Sequence, residues 1–519
     1  MLFHEPVFLF AFLPVTLVVF FALVKIGSDV GVRSWIILAS LFFYSWSQPD
    51  SVAVFILSAL ANYVFAECIA RTSKTRWASI WLVLGVSLDL GILCFYKYAN
   101  FLLDVIHSAG VSSLPQHTPI HLPIAISFFT FTEIAYLVDV YRDRQVHYRL
   151  VDYGAFVFFF PHLVAGPIVR HWELIPQFRQ NRRWLSADDA WVGSALFLIG
   201  LFKKVLIADP LSAICGDFFS GSNSASGATS WEAWISLLAF TGQIYFDFSG
   251  YSDMAIGLAR LFGIRFPQNF CSPYKALSII DFWHRWHITL SRFFRDYLYI
   301  PLGGNRHGFP RQMTNLFVTM VLCGFWHGAG WTFAIWGAGH GALLVVNHAW
   351  QRIFLRQPAG PLGKLTAILC WFVTFLSVVL LWVLFRSDSW AHAYRVYGLL
   401  FGVGGFTIPE CLSSALGGLT RIFPSGSLQF VATASTHLTA GWDLVTVIAA
   451  LAIAWLGPNS QELLAPWAAV LEQPKQPTSP PRLVLRPGWA TGLLFSLFFF
   501  VVLKSYFVLK PNEFIYFRF

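Results

Sequence analysis

One imidazole stands apart in an apolar stretch. Residues 323–331 read CGFWHGAGW, and from Asn315 to Trp336 His327 is the one side chain that normally ionises near neutral pH. A buried polar group left without a partner costs about 1–3 kcal/mol, so an ionisable residue inside an apolar run marks a candidate functional site. The free pKa of histidine is about 6.5, so a neutral imidazole accepts a proton readily. That suits a general base acting on a hydroxyl or a thiol. Gly324, Gly328 and Gly330 leave room beside it for a substrate. From the pattern alone, a structural histidine bonded to a neighbouring helix fits equally well.

A second candidate lies in FWHRWHITLS, where His284 and His287 at i and i+3 would share one helix face. Zinc-binding pairs on a helix are normally i, i+4 with a Glu between. Here Arg285 and Trp286 intervene, so no metal site is expected and His284 reads as part of an interfacial Trp/Arg/His belt. In YFDFSGYSDM, Asp247 and Asp253 flank a Ser-Gly-Tyr-Ser turn. They could cap a helix start or pair with nearby Arg to shape a cavity. His162 sits in FPHLVAGPIVR and could line the same space. Glu133 lies inside the apolar run ISFFTFTEIAYLVDVYR and needs a partner that the sequence does not name. No GxSxG elbow, Walker loop or dinucleotide fingerprint is present, so a serine hydrolase, an ATP-driven pump and a bound cofactor are not expected.

The elements that must hold these residues are membrane helices. Of 519 residues, 56% are hydrophobic and 12% charged, against about 25% charged in soluble domains. The mean hydropathy is +0.61. Such a chain exposes apolar surface to lipid. The 22 Trp and 17 Tyr suit the bilayer interfaces and the 53 Phe suit lipid and helix packing. The net charge of +9 fits basic cytoplasmic loops rather than nucleic-acid binding, since no basic patch resembles a nucleic-acid footprint. Seven cysteines without a CxxC pair, most in or beside apolar runs, read as buried thiols with no disulfide framework.

A span needs roughly 20 mostly apolar residues. Candidates are 6–26, 34–48, 51–69, 77–96, 120–140, 192–214, 231–248, 314–335, 336–356, 365–386, 440–457 and 488–508. The expected fold is all-α and polytopic, with about 10–13 spans, as a single membrane domain over 1–519. Its parts are a core over 1–400 and a C-terminal region over 401–519. No Lys or Arg precedes Lys25 and no small-residue cleavage site follows, so the first span is read as retained, with the N-terminus outside. KIGSDVGVR after that span, RTSKTR (71–76) and YRDRQVHYR (141–149) fit alternate cytoplasmic loops.

The alternation then fails. FVFFFPHLVAGPIV (156–169) is apolar enough to cross, yet RHWELIPQFRQNRR (170–183) follows it. Pro161, Gly166 and Pro167 also break a straight helix. A re-entrant segment resolves both conflicts, since irregular backbone is tolerated at membrane depth where protein covers it. The stretch 260–311 holds eight Lys and Arg among aromatics and reads as amphipathic helices on the cytoplasmic face. Residues 405–438 read as a loop with short helices, and 472–488 as a Pro-rich loop.

Taken together, seven blocks resemble the membrane-bound O-acyltransferase superfamily, in its bacterial exopolysaccharide O-acetylation branch. They are FLFAFLP (8–14), FYKYANF (95–101), LPIAISFFTF (122–131), FPHLVAGPIVR (160–170), YFDFSGYSDMAIGLARLFGIRFPQNF (245–270), FWHRWHITLSRFFRDYLYIPLGGNR (282–306) and FWHGAGWTFAIWGAGHG (325–341). The resemblance covers most of residues 1–400 and weakens after that. It implies a ring of tilted helices around a thinned centre, where a cytoplasmic funnel meets an opening from the other side. It places the family's intramembrane histidine on His327 and a second polar position on His287. His284 departs from the family, which usually has Arg there, and takes no catalytic role.

The resemblance further implies acetyl-CoA as acyl donor, with the basic stretch Arg285–Arg311 and Lys203/Lys204 meeting its phosphates. Trp326, Arg285, Trp286, Arg295, Asp253 and Asp247 would line the substrate path. An SGNH-like periplasmic acetyltransferase and exopolysaccharide machinery would be the partners, in the bacterial inner membrane, with alginate or cellulose as polymer. Three other readings stay open: a D-alanyl transferase fed by a carrier protein, a proton-relaying transporter and a non-catalytic envelope subunit. A transporter would show paired broken-helix repeats, and none is visible.

Overall fold

The computed structural model describes residues 1–110, 120–143, 148–179, 185–219, 227–353, 361–416, 427–431, 441–471, 483–508 and 514–515. Much of the Pro-rich loop, parts of the basic loops at 141–149 and 170–183 and much of 405–438 lie outside these residues.

The described residues are mostly helical, as expected. In order come α1 (Leu13–Ile26), α2 (Asp29–Ser45), α3 (Val52–Arg71), α4 (Arg76–Leu93), α5 (Ala99–Ser108), α6 (Ile126–Arg142), α7 (Leu150–Phe158), α8 (Phe160–Leu163), α9 (His171–Arg179), α10 (Ala187–Phe202), α11 (Asp209–Phe219) and α12 (Ser230–Leu261). Then follow α13 (Ile279–Arg285), α14 (Ile288–Phe294), α15 (Gly308–His327), α16 (Trp331–Ile353), α17 (Pro361–Arg386), α18 (Trp390–Leu400), α19 (Ser413–Leu416), α20 (Gly441–Leu456), α21 (Ser460–Leu463) and α22 (Trp489–Val508). Among the described residues, six helical stretches are long and apolar enough to cross a bilayer: Phe8–Ile26, Pro49–Arg71, Arg76–Ser108, Ala187–Gly216, Gly363–Arg386 and Trp489–Tyr506. The remaining expected spans coincide with helices that are shorter or carry more polar residues, namely α2, α6, α12, α15, α16 and α20.

The 405–438 region holds a short helix as expected, α19, and in addition a pair of strands. Phe406–Pro409 (β1) and Leu428–Val431 (β2) form a parallel pair, Phe406 opposite Leu428. Phe406, Thr407 and Ile408 are strand-favouring residue types, and the Thr407 hydroxyl accepts from the Ser230 amide at 2.8 Å.

At the centre stands α12, buried along nearly its whole length. It runs unbroken through Ser249–Ser252, so the expected turn between Asp247 and Asp253 does not form. Glycines explain why. A Cβ on Gly200 of α10 would lie 2.4 Å from the Gly250 carbonyl oxygen, and one on Gly257 would lie 2.6 Å from that of Gly193. The two glycines are seven residues apart on each helix, so the pairs form one seam along which the backbones touch. The two carboxylates are neutralised in place. Asp247 pairs with Lys204 at 2.8 Å and Asp253 with Lys203 at 2.6 Å.

The segment 156–169 is broken and buried, as the charge conflict demanded. The chain leaves α7 at Phe159, makes one turn in α8 and then runs irregularly to Arg170, with Gly166 at φ 114°. His162 is held by its own segment, its Nε2 lying 3.0 Å from the Phe156 carbonyl. Glu133 also finds a partner: the Ser58 hydroxyl donates to it at 2.7 Å. Nearby, Asn62 donates to Asp89 at 2.6 Å.

Candidate active site

His327 is not in the middle of a helix. The expected border between helices at 335/336 is wrong, because the break falls at Gly328–Gly330, making His327 the last residue of α15. The two helices then pack as a tight hairpin. A Cβ on Gly324 would lie 2.2 Å from the Phe333 carbonyl oxygen and 3.0 Å from the Gly337 Cα. Glycine at both positions therefore fixes where the end of α15 sits.

A helix end leaves carbonyls without intrahelical partners, and here a distant element satisfies them. Lys97 Nζ donates to the Trp326 carbonyl at 2.5 Å and to the His327 carbonyl at 3.2 Å. The Tyr98 hydroxyl donates to the Phe325 carbonyl at 2.6 Å. Both residues lie in the wide π-type turn Cys94–Tyr98 that follows α4. An ammonium at a helix C-terminus also favours the helix dipole. Lys97 is the main site residue that sequence reasoning missed. Its block, FYKYANF, was visible, but nothing in it points to carbonyls some 230 residues away.

Aromatic rings wall in the imidazole, which is 3% exposed. Trp326 and Trp336 meet it edge-on at 4.8 and 5.1 Å. Trp326 in turn stacks on Phe131 at 4.8 Å. A pocket reaches His327 directly, with Lys97, Ser127, Phe128 and Trp326 also on its wall. A second pocket, of about 280 Å³, follows α15 past Thr319 and Met320 to Cys323, one turn short of His327. Arg295, Tyr299 and His348 also line it.

His287 is fully buried. It does not share a helix face with His284, since α13 ends at Arg285 and His287 adopts a left-handed conformation, φ 44° and ψ 54°. The Ile288 amide is drawn to the Asn269 carbonyl at 2.9 Å, which breaks the helix there. Such backbone is uncommon for a non-glycine residue and clusters at functional sites. His284 is exposed. His287 and His327 lie within electrostatic range of each other.

The other expected substrate residues divide. Trp326 and Arg295 face the pockets. Arg285 pairs with Asp281 at 2.8 Å and also donates to the Cys271 carbonyl, while Trp286 is buried against Phe282, Tyr274 and Trp382. Asp253 also accepts from the Ser460 hydroxyl at 2.8 Å, and Asp247 from the Ile515 amide at 2.8 Å. Lys203 and Lys204 are committed to carboxylates rather than placed at the second pocket. Among the described residues, no group of three or more His, Cys, Asp or Glu could hold a metal ion.

Beside Arg295, Asp296 accepts from both Arg295 and Arg170. Burial works against its carboxylate, but those hydrogen bonds and charges outweigh burial and hold the carboxyl below its usual range. The stabilisation is therefore present above the unfolded pKa and is lost as pH falls through the folded one. Thermal unfolding of detergent-solubilised protein should show this loss on acidification, and Asp296→Asn should lack that increment.

Lys97→Met should leave two buried carbonyls without a donor, at about 1–3 kcal/mol. Tyr98→Phe should cost about 0.5–1.5 kcal/mol. Melting temperatures in one detergent would rank them.

A buried imidazole at the end of a clamped hairpin, open to one pocket and a turn away from another, can take a proton from an attacking group. Residues 64–386 match "MBOAT, membrane-bound O-acyltransferase family". The chain belongs to this family. It is a multi-pass membrane acyltransferase. It is 43% identical to "probable alginate O-acetylase AlgI" of Pseudomonas aeruginosa over 425 residues, covering 81% of this chain and 78% of that protein. It is 39% identical to "peptidoglycan O-acetyltransferase" of Helicobacter pylori over 453 residues, covering 81% and 84%. It is 29% identical to "teichoic acid D-alanyltransferase" of Streptococcus thermophilus over 288 residues, covering 51% and 69%.

Proposed function

We propose that this O-acyltransferase moves an acetyl group from acetyl-CoA across the bacterial inner membrane for O-acetylation of a secreted polysaccharide, alginate or cellulose. The observation that carries the reading is His327, held by Lys97 and the glycine hairpin where one pocket ends and another stops a turn away. The pocket along α15 takes the acyl donor, with Arg295 at its wall for a phosphate. The pocket on His327 admits the acceptor hydroxyl. His327 removes the hydroxyl proton, the oxygen attacks the thioester carbonyl carbon, and the C–S bond breaks. The proton passes to the departing thiolate, so that the products are the acetyl ester and free CoA. His287, within electrostatic range of His327, would position the donor or the acceptor. No metal or bound cofactor is needed for this balance.

The names of the more similar relatives speak for acetyl transfer to a cell-surface polysaccharide. The D-alanyltransferase relative matches half of the chain at lower identity, so a carrier-protein donor is the weaker reading. Basic residues in alternate loops speak for an N-terminus in the periplasm. There an SGNH-like acetyltransferase would receive the group and pass it to the polymer.

The test is the O-acetyl content of the secreted polymer in a strain lacking the gene, with and without the gene restored. Restoration should return the acetate. An unchanged acetate content in both strains would refute the assignment.

A further inference from the structure

We infer that Asn269 is a positioning residue that locks His287 as the neutral tautomer with its proton on Nδ1, so that Nε2 presents a bare lone pair to the site. The argument needs only donors whose direction is fixed. The Thr289 main-chain N–H, which can only donate, lies 3.4 Å from the Asn269 side-chain atom assigned as Oδ1. The Thr289 hydroxyl accepts from the Ile168 amide at 3.0 Å. Its own hydrogen is left for the same Asn269 atom, at 2.8 Å. Two independent donors therefore require that atom to be the amide oxygen.

On the other side, Asn269 Nδ2 donates to the Ser252 hydroxyl at 3.0 Å. An oxygen cannot donate, so His287 Nδ1, 3.1 Å from it, must carry the hydrogen. In a neutral imidazole the other nitrogen then has none. That nitrogen, Nε2, is buried and has no hydrogen-bond partner among the described residues. An orphaned acceptor on a fully buried ring with left-handed backbone is the kind of group that a substrate completes.

The chain of bonds ties Ile168, 121 residues before Thr289, to Ser252, Asn269 and His287. Asn269 is itself fully buried.

The consequence rests on the acyl-transfer reading. A bare Nε2 cannot donate to a thioester carbonyl or to the oxyanion formed from it. It can only accept, so its place is on the acceptor side, taking a hydrogen bond from a polar hydrogen of the hydroxyl-bearing substrate. His287 is thereby excluded as an oxyanion-hole donor in its neutral form.

The tautomer can be read without any turnover. Protein labelled with ¹⁵N-histidine would be reconstituted in lipid and its imidazole nitrogens resolved by solid-state NMR, with His287→Gln supplying the assignment by difference. The expected result is a neutral ring protonated on Nδ1. A ring protonated on Nε2 overturns the inference, whatever the enzyme does. Asn269→Ala should release the ring to a mixture of tautomers and lower acetyl transfer on the order of 10²-fold, as expected when a histidine that orients the substrate loses its tautomer. Asn269→Asp keeps an acceptor oxygen, and should keep the Nδ1 proton and restore much of the rate. If Asn269→Ala does not accumulate, Asn269→Asp and the wild-type spectrum decide. Loss of the Nδ1 proton in Asn269→Asp, or an unaltered tautomer and rate in Asn269→Ala, contradicts the role. Failure of acetyl transfer in the wild type would refute the acyl-transfer reading and leave the tautomer result standing.

Discussion

His327→Ala should abolish polymer O-acetylation while the protein stays in the membrane at normal level. General-base catalysis contributes about 10²- to 10⁴-fold, and the imidazole is the one ionisable side chain that the pocket next to Trp326 offers besides Lys97. The variant should remain folded. The hairpin is held by backbone contacts at Gly324 and Gly337 and by the Lys97 bonds to main-chain carbonyls, none of which needs the His327 side chain. Loss of acetate with unchanged membrane abundance therefore separates chemistry from stability. His327→Gln keeps polarity but lacks a group that titrates near neutrality, and should be as inactive. Normal acetate in either variant would make His327 a structural residue.

The second large effect is steric. Gly324→Ala should lower both stability and transfer, because its Cβ would come 2.2 Å from the Phe333 carbonyl oxygen and 3.0 Å from Gly337 Cα. Backbone cannot yield there without parting α15 from α16, and overpacking of this kind costs typically about 1–3 kcal/mol or more. His327 is three residues further on the same helix, so the parting displaces it. Gly330→Ala is the control in the same motif. Its Cβ would meet nothing closer than 3.6 Å and should be silent. Melting temperature and acetyl transfer measured together on the two variants test the hairpin. Equal behaviour would show that the close approach does not govern the site.

Much of the fold was legible, because apolar runs of span length leave few alternatives to helices. The break at 156–169 was legible too, from a conflict between hydropathy and charge that a broken segment resolves. What was not legible depends on contacts across long separations. Asp247 and Asp253 flank small polar residues that read as a turn, yet the helix runs on because Gly200 and Gly193 of another helix need its glycines close. His284 and His287 have helix spacing, but Asn269 pulls the chain out of the helix between them. In the site, His327 announced itself as a lone ionisable residue. Lys97 did not, since an ammonium after an apolar run reads as a span end. Its carbonyl partners appear only when α15 is seen to stop at His327.

The most direct measurement uses purified protein in sealed proteoliposomes, with acetyl-labelled acetyl-CoA on one side and a soluble polysaccharide or acceptor acetyltransferase on the other. Label appearing across the bilayer with wild-type protein and not with His327→Ala, alongside release of free CoA, is the predicted result. Transfer by His327→Ala at the wild-type rate, or no CoA-dependent transfer by the wild type, would contradict it.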